Sequence, residues 1–399
     1  MRPRWLPVAL VVVAAAATSV AYAHLTPVGY GPDEPLHWNY IQVLLHGALP
    51  GATVSERQQP PLYYLFGAAV ASLGGALTTV RLVSAVLGAA TALLAALAAR
   101  EIWPSSPLRW ALVAAPSALL PQLQWLDGTV SNDALSFASA AALVLATVLT
   151  FTRRPSARTL AVAGFAVAAA LLSKETDYGL IVVLLLCVAI RWRSALMSWA
   201  GMALIAPPLL LAGWWFARNL GTFGSPLPPL HPLLTSPVRL RTLGQARAWT
   251  GTAVVSMVGS FPTFDAVRGG TAATWRTVLN LLDVLVLAVV ALTAALGWVA
   301  ARTWDGGRRG LAVAMAGSVA VSLLLMVANS VFIDYQPQGR YVLVAGPAIA
   351  ILCIGGGAHL LSRVPPVARR GLAASALLAV VLVDVVAFET MRQLAARVG

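Results

Sequence analysis

Charge is scarce in this chain. Of its 399 residues, 10% are Asp, Glu, Lys or Arg, against about a quarter in an ordinary soluble domain. That shortage, beside 59% hydrophobic residues, excludes a soluble globular enzyme. Cysteine is nearly absent: Cys187 and Cys353 fall inside apolar runs with no ligand cluster near them. Neither a disulfide framework nor a metal centre is indicated, so both are assigned to packing. Lysine is reduced to Lys174 beside 26 arginines, and no internal or inverted repeat is apparent.

What the chain has in abundance is apolar runs long enough to cross a bilayer, which takes about 20 residues per helix. The fold class they imply is all-α, a polytopic membrane protein of about 11 transmembrane helices. Spans are expected at 5–25, 80–100, 108–126, 132–151, 158–173, 177–191, 195–216, 277–301, 310–332, 341–361 and 371–390. They fill residues 1–399 as a single integral membrane domain with no room for an appended soluble one. Arg2 and Arg4 ahead of an apolar stretch ending in Ala21-Tyr22-Ala23 have the outline of a secretory signal. The run from Trp5 to Ala23 exceeds the about 7–15 residues of a signal core, so it is read as the first span.

The net charge of +13 would suggest nucleic acid in a soluble protein. Here most arginines lie in short connections, and orientation explains them better. With the N-terminus inside, fifteen of the 27 basic residues fall on the cytoplasmic side. Six of the remaining twelve sit in or beside one long loop, which counts little toward topology. Two long segments then face outward. The first, 26–79, holds two semi-apolar stretches, Pro35–His46 and Pro61–Leu73, too short to span and suited to interfacial helices. The second, 217–276, opens with five prolines between Pro226 and Pro237, which favour an extended covering loop; Arg239–Gly259 is a further candidate interfacial helix.

Polar residues that an anchor would not need collect on that outer side. Asp33 and Glu34 open the first stretch, where a carboxylate serves either as a helix cap or as a general base reachable from lipid and water. His37 lies four residues beyond Asp33 and is the candidate to share its face. Arg57, Gln58 and Gln59 precede Pro60-Pro61 and the pair Tyr63-Tyr64, which read as interface anchors or as pocket walls. Asn132-Asp133, Lys174 with Glu175, Arg218-Asn219 and Gln338-Gly339-Arg340 complete the set; the cations either snorkel or contact phosphate. Asp283 and Asp384 lie inside their spans, where an ionisable residue is a functional candidate by default.

With these residues on one side, the chain resembles the GT-C superfamily of membrane glycosyltransferases, which includes protein O-mannosyltransferases and lipid A aminoarabinose transferases, and more closely their less characterised bacterial relatives. The resemblance rests on Asp33-Glu34, Pro60-Pro61-Leu62-Tyr63-Tyr64, Asn132-Asp133, Ser173-Lys174-Glu175, Trp214-Trp215-Phe216-Ala217-Arg218-Asn219 and Gln338-Gly339-Arg340-Tyr341. It covers nearly the whole chain, and its specificity lies in the order of these short motifs. It implies a sugar transferred from a polyprenyl-phosphate donor to a lipid-linked or polysaccharide acceptor of the bacterial envelope. The site would face outward from the cytoplasmic membrane, with Asp33, aided by Glu34, as the catalytic carboxylate. Two departures stand out. His37 follows the acidic pair one residue later than in protein mannosyltransferases, which argues against protein O-mannosylation. A lysine or histidine often preceding the paired prolines is Gln59 here, which leaves the donor phosphate to Lys174, Arg57, Arg218 or Arg340. The remaining binding candidates are His37, Gln59, Tyr63, Tyr64, Asn132, Asp133 and Gln338. No metal-ligand spacing is evident; some superfamily members use a divalent cation, and the resemblance admits one held by Asp33 or Asp133 with the phosphate.

The chemistry suits the residues independently. A polyprenyl phosphate is a good leaving group, so one base and one or more cations suffice without the second carboxylate of glycosidases. The rivals are a lipid-linked sugar flippase and a non-catalytic envelope-assembly subunit. A transporter would concentrate its ionisable residues near the bilayer midplane and often show repeats, whereas these clusters sit at one rim.

Overall fold

The computed structural model describes residues 4–228, 239–259, 270–301, 306–362, 365, 382–393 and 395–396. Parts of the expected covering loop (229–238, 260–269) and the first half of the expected span 371–390 lie outside the described residues, as do Arg268, Arg302, Arg363, Arg369, Arg370 and the side chain of Asp283.

The elements are helices: α1 (Leu6–Leu25), α2 (Glu34–Leu45), α3 (Leu62–Ser72), α4 (Leu77–Ile102), α5 (Pro107–Ala114), α6 (Pro121–Asp127), α7 (Asp133–Thr152), α8 (Ala157–Leu171), α9 (Tyr178–Arg191), α10 (Arg193–Leu196), α11 (Met202–Phe223), α12 (Leu243–Val255), α13 (Gly270–Ala301), α14 (Gly306–Ala328), α15 (Arg340–Leu343) and α16 (Gly346–Ser362). Residues 382–393 are also helical. Among the described residues, five helical segments are long and apolar enough to cross a membrane: Leu6–Leu25, Leu77–Ile102, Asp133–Thr152, Trp199–Phe223 and Gly307–Ile333.

Helix α7 is the axis of the bundle. It packs on α4, α8, α9 and α14, and 78% of its apolar window is buried, against 28–50% for the other four. Its Ala- and Ser-rich sequence supplies the small side chains that let helices approach closely in lipid. The α13–α16 crossing takes this further: a side chain on Gly297 would strike the Leu352 carbonyl, and one on Gly356 the Thr293 carbonyl.

The structure revises three boundaries. Residues 108–126 form α5 and α6 rather than one continuous helix, because Pro116 and Pro121 interrupt the backbone ladder and the chain turns between them. Helix α11 runs on to Phe223, so Arg218 and Asn219 lie within it rather than beyond its end. It stops at Gly224, which takes the left-handed conformation (φ 71°) of a helix C-cap. Helix α13 begins at Gly270, inside the expected loop. The two interfacial stretches of the first loop are helices α2 and α3, and the Arg239–Gly259 stretch contains α12, opened by a reciprocal Thr242–Gln245 capping box.

Candidate active site

Asp33 and Glu34 are neighbours with opposite surroundings. Glu34 is fully buried and paired with Arg81, itself 1% exposed, on α4. Arg81 Nε donates to Glu34 Oε1 at 2.8 Å and Nη2 to Oε2 at 2.7 Å, while the backbone amides of Gly29 and Val130 donate at 3.0 and 2.9 Å. The guanidinium spends its other donors on the carbonyls of Ala23, Thr26 and Pro27. This ion pair is saturated and ties the loop after α1 to α4 and to the strand of chain entering α7. Glu34 thus departs from the expectation of a catalytic partner, since no acceptor position remains free to meet a substrate.

With Glu34 fixed, Asp33 turns outward. It takes the left-handed conformation (φ 56°), the only non-glycine residue among those described with positive φ, a geometry aspartate tolerates better than most side chains. Its carboxylate does not cap α2, which disposes of the capping alternative. Instead it borders two cavities. The larger, about 770 Å3, is bounded by Asp33, His37, Glu56, Gln58, Gln59, Lys174, Gln336, Arg340 and Tyr341, and further by apolar side chains of α9 and α14 including Val182, Val321, Leu325 and Met326. The smaller, about 300 Å3, lies against Gly29–Asp33, Trp125, Gln338 and Arg340. Asp33 and Arg340 belong to both.

Two cations meet behind Asp33. Lys174 Nζ lies 2.5 Å from Asp133 Oδ1, and Arg340 Nη1 lies 3.1 Å from Asp133 Oδ2 while Nη2 reaches Asp33 Oδ2 at 3.3 Å. The Asp33 side chain is 46% exposed, whereas the others of this group are 9% or less. Partial enclosure works to raise the Asp33 pKa, but Arg340 and Lys174 outweigh it and hold the carboxyl below the ordinary aspartate value. It is charged at neutral pH. The Arg340 Nε is buried without a partner, and the Lys174 ammonium donates one hydrogen bond of its three.

Each cation is held from behind. Asp177 accepts from Ser136 and Ser139 of α7 at 2.6 and 2.8 Å, which fixes the turn that presents Lys174. The backbone amide of Gly339 donates to Ser256 Oγ at 2.8 Å, just beyond α12. A side chain at position 339 would strike Met257 and the Ala253 carbonyl, so glycine lets the Gln-Gly-Arg turn lie flat against this segment. His37 is buried, with Nδ1 2.9 Å from the Tyr64 hydroxyl; burial pushes its pKa down to about 4, and the ring is neutral at pH 7.

Of the other expected site residues, Gln59 borders the larger cavity and its Oε1 accepts from Asn132 at 2.8 Å. Asn132 and Asp133 sit behind the cavity wall rather than on it. Gln338 belongs to the smaller cavity. Tyr63 and Tyr64 are fully buried rather than wall residues: Tyr63 accepts from the Ser131 amide and pairs with Ser84, and Tyr64 stacks on Tyr40 at 3.8 Å. Arg57 and Arg218 do not border either cavity. They donate to the carbonyls of Ala52 and Pro50 and flank Phe223, so the phosphate candidates narrow to Lys174 and Arg340. Sequence reasoning missed Glu56, Gln336 and Arg81. Arg81 carried a signal, a charge inside an apolar run; Glu56 and Gln336 sit in turns already rich in polar residues and carried none.

The donor set does not fit a divalent cation. Both Asp133 oxygens and one Asp33 oxygen are engaged by cationic groups, and among the described residues no three His, Cys, Asp or Glu side chains come together.

No protein-family profile and no curated protein matches the sequence. The fold does have relatives among solved structures. ArnT from Cupriavidus metallidurans bound to undecaprenyl phosphate superposes with a TM-score of 0.55 at 15% identity, covering 97% of this chain and 75% of that one. Its apo state gives 0.56 at 16% identity, over 93% and 64%. The oligosaccharyltransferase of Archaeoglobus fulgidus, in a complex with Zn and sulfate, gives 0.56 at 13% identity, over 96% of this chain and 53% of that one. The chain thus spans between half and three quarters of the length of these structures. Its fold is therefore shared with the ArnT and oligosaccharyltransferase structures, the fold expected from the motif resemblance.

Proposed function

We propose that the chain is a membrane glycosyltransferase that moves a sugar from a polyprenyl-phosphate donor to a hydroxyl acceptor of the cell envelope, at the extracytoplasmic face, by a single inverting displacement. The observation that carries this reading is the position of Asp33, an ionised carboxylate on the border of two cavities with Lys174 and Arg340 beside it. The larger cavity has the size of a small-molecule site and combines polar groups with an apolar wall from α9 and α14, a pairing suited to a phosphosugar on a prenyl chain. The ArnT structure bound to undecaprenyl phosphate supports a lipid phosphate as the leaving group.

In this mechanism the acceptor hydroxyl enters from the smaller cavity. Asp33 takes its proton as the oxygen bonds to the anomeric carbon, and the bond from that carbon to the phosphate oxygen breaks. The leaving phosphate gains negative charge, which the unused donors of Lys174 and Arg340 stabilise. Because Arg340 above all holds the Asp33 carboxyl below the ordinary aspartate value, the base form persists through the whole physiological range and is lost only in more acid solution. Glu34 and Arg81 position Asp33 without touching the reactants.

The test is release of free polyprenyl phosphate from a panel of polyprenyl-phosphate sugars by purified protein in lipid, with an envelope-glycan extract as acceptor. Release by wild type and its loss in Asp33→Asn supports the reading. Folded wild type that releases nothing from any donor, yet moves lipid-linked sugar between leaflets, would replace it with the flippase reading.

A further inference from the structure

The larger cavity holds a carboxyl group that the transfer step does not use. Glu56 is 4% exposed and, among the described residues, has no ion-pair partner. Its Oε2 accepts from Gln58 Nε2 at 3.0 Å. Gln58 is equally buried, also borders the cavity, and its Oε1 has no hydrogen-bond partner. Burial pushes the Glu56 pKa up to about 7, and the charge of Asp33 adds to it; Lys174, Gln59 and Arg340 work against that rise. Below neutrality the pair therefore holds one carboxyl proton and one buried, unmet amide oxygen, side by side on two residues that border the cavity. An unmet buried donor or acceptor keeps its desolvation cost uncompensated, so a ligand that supplies both complements is favoured there. Adjacent sugar hydroxyls do so, since each donates and accepts.

We propose that Glu56 and Gln58 bind neighbouring hydroxyl groups of the donor sugar, Glu56 donating and Gln58 accepting, and so select an uncharged polyhydroxylated sugar. The proposal rests on the glycosyltransferase reading and deepens it. A sugar bearing a cationic group at this position would draw Glu56 into its ionised form, in which it accepts rather than donates. A sugar bearing a carboxylate would face Asp33 and Glu56 together. The other titratable or charged groups around Glu56 are Asp33, His37 and Tyr40 from the α2 segment, Tyr64 from α3, Lys174 and Glu175 from the turn before α9, and Asp334 and Arg340 from the α14–α15 connection. Glu175 is exposed as a residue, yet desolvation at the cavity border pushes its pKa up to about 7 as well, so it is the alternative source of any titration near neutrality.

The experiment measures donor kcat/KM for polyprenyl phosphate release between about pH 5 and 9 for wild type, Glu56→Gln, Glu56→Ala and Glu175→Gln, each checked for a monodisperse, cooperatively melting protein. Wild type is expected to decline above about pH 7 as Glu56 ionises. Glu56→Gln, which keeps a donor and cannot titrate, should lose about threefold at pH 6 and exceed wild type at the alkaline end. Glu175→Gln should keep the decline. Glu56→Ala should raise the donor KM about tenfold with a smaller change in kcat. The proposal is overturned by a decline that survives in Glu56→Gln, by a loss of tenfold or more in Glu56→Gln at pH 6, which would mean a carboxylate holding a cationic sugar, or by an unchanged KM in Glu56→Ala. No release by folded wild type from any donor would instead sink the glycosyltransferase reading, and this proposal with it.

Discussion

Two buried ion-pair systems lie within a few residues of each other, and they do different work. Glu34–Arg81 is closed: every strong donor and acceptor is matched, and neither residue borders either of the two cavities. The Asp33–Arg340–Asp133–Lys174 chain is open at one end, where Asp33 is nearly half exposed and Arg340 Nε is unmatched. Closed pairs hold a fold in one arrangement and cost much to break from one side. Open ones keep charge available for a ligand. Adjacent sequence positions, one carboxylate each, are thus divided by a single left-handed residue into a buried clamp and a half-exposed carboxylate, the one that the proposed transfer uses as its base.

Substitutions that sharpen this contrast differ in what they should damage. Asp33→Asn should lose about 10²–10⁴-fold in turnover, the usual contribution of a general base, with little change in thermal unfolding. Glu34→Gln should do the reverse. It leaves Arg81 buried without its counter-charge, and a loss of about 3–5 kcal/mol in stability is expected, seen as a lowered midpoint in detergent with residual turnover in proportion to the folded fraction. Lys174→Met is intermediate, since Asp133 retains Arg340: turnover should fall about 10²-fold, as when one preorganised charge-stabilising donor is removed, and donor KM should rise. Arg218→Ala should change turnover by less than about threefold, because this half-buried cation is bound to the Pro50 carbonyl and borders neither cavity. Comparable losses in Arg218→Ala and Lys174→Met would erase the distinction between cavity and peripheral cations.

Much of this was legible because the chain has so little charge. In an apolar sequence each polar residue stands out, and Asp33 could be named from the sequence together with four candidate cations, Lys174, Arg57, Arg218 and Arg340, of which two border the cavities. The two helices of the first loop were legible from proline placement. What escaped the sequence depended on partners distant along the chain. Glu34 reads as a reactive carboxylate until Arg81, 47 positions away, is seen to neutralise it. Tyr63 and Tyr64 read as interface aromatics until Ser84, Ser131 and Tyr40 enclose them. The break between α5 and α6 was written in Pro116 and Pro121, but uniform hydrophobicity across that stretch carries no period to mark it.

The central claim is that of two adjacent carboxylates one does chemistry and the other holds the fold. Its most direct test compares Asp33→Asn and Glu34→Gln side by side in lipid, reading polyprenyl phosphate release and thermal midpoint on the same samples. The account predicts a folded, nearly silent Asp33→Asn with a near-native midpoint, and a Glu34→Gln whose midpoint falls while each folded molecule still turns over. Near-native release by Asp33→Asn, or a stable Glu34→Gln that is inactive, would contradict it.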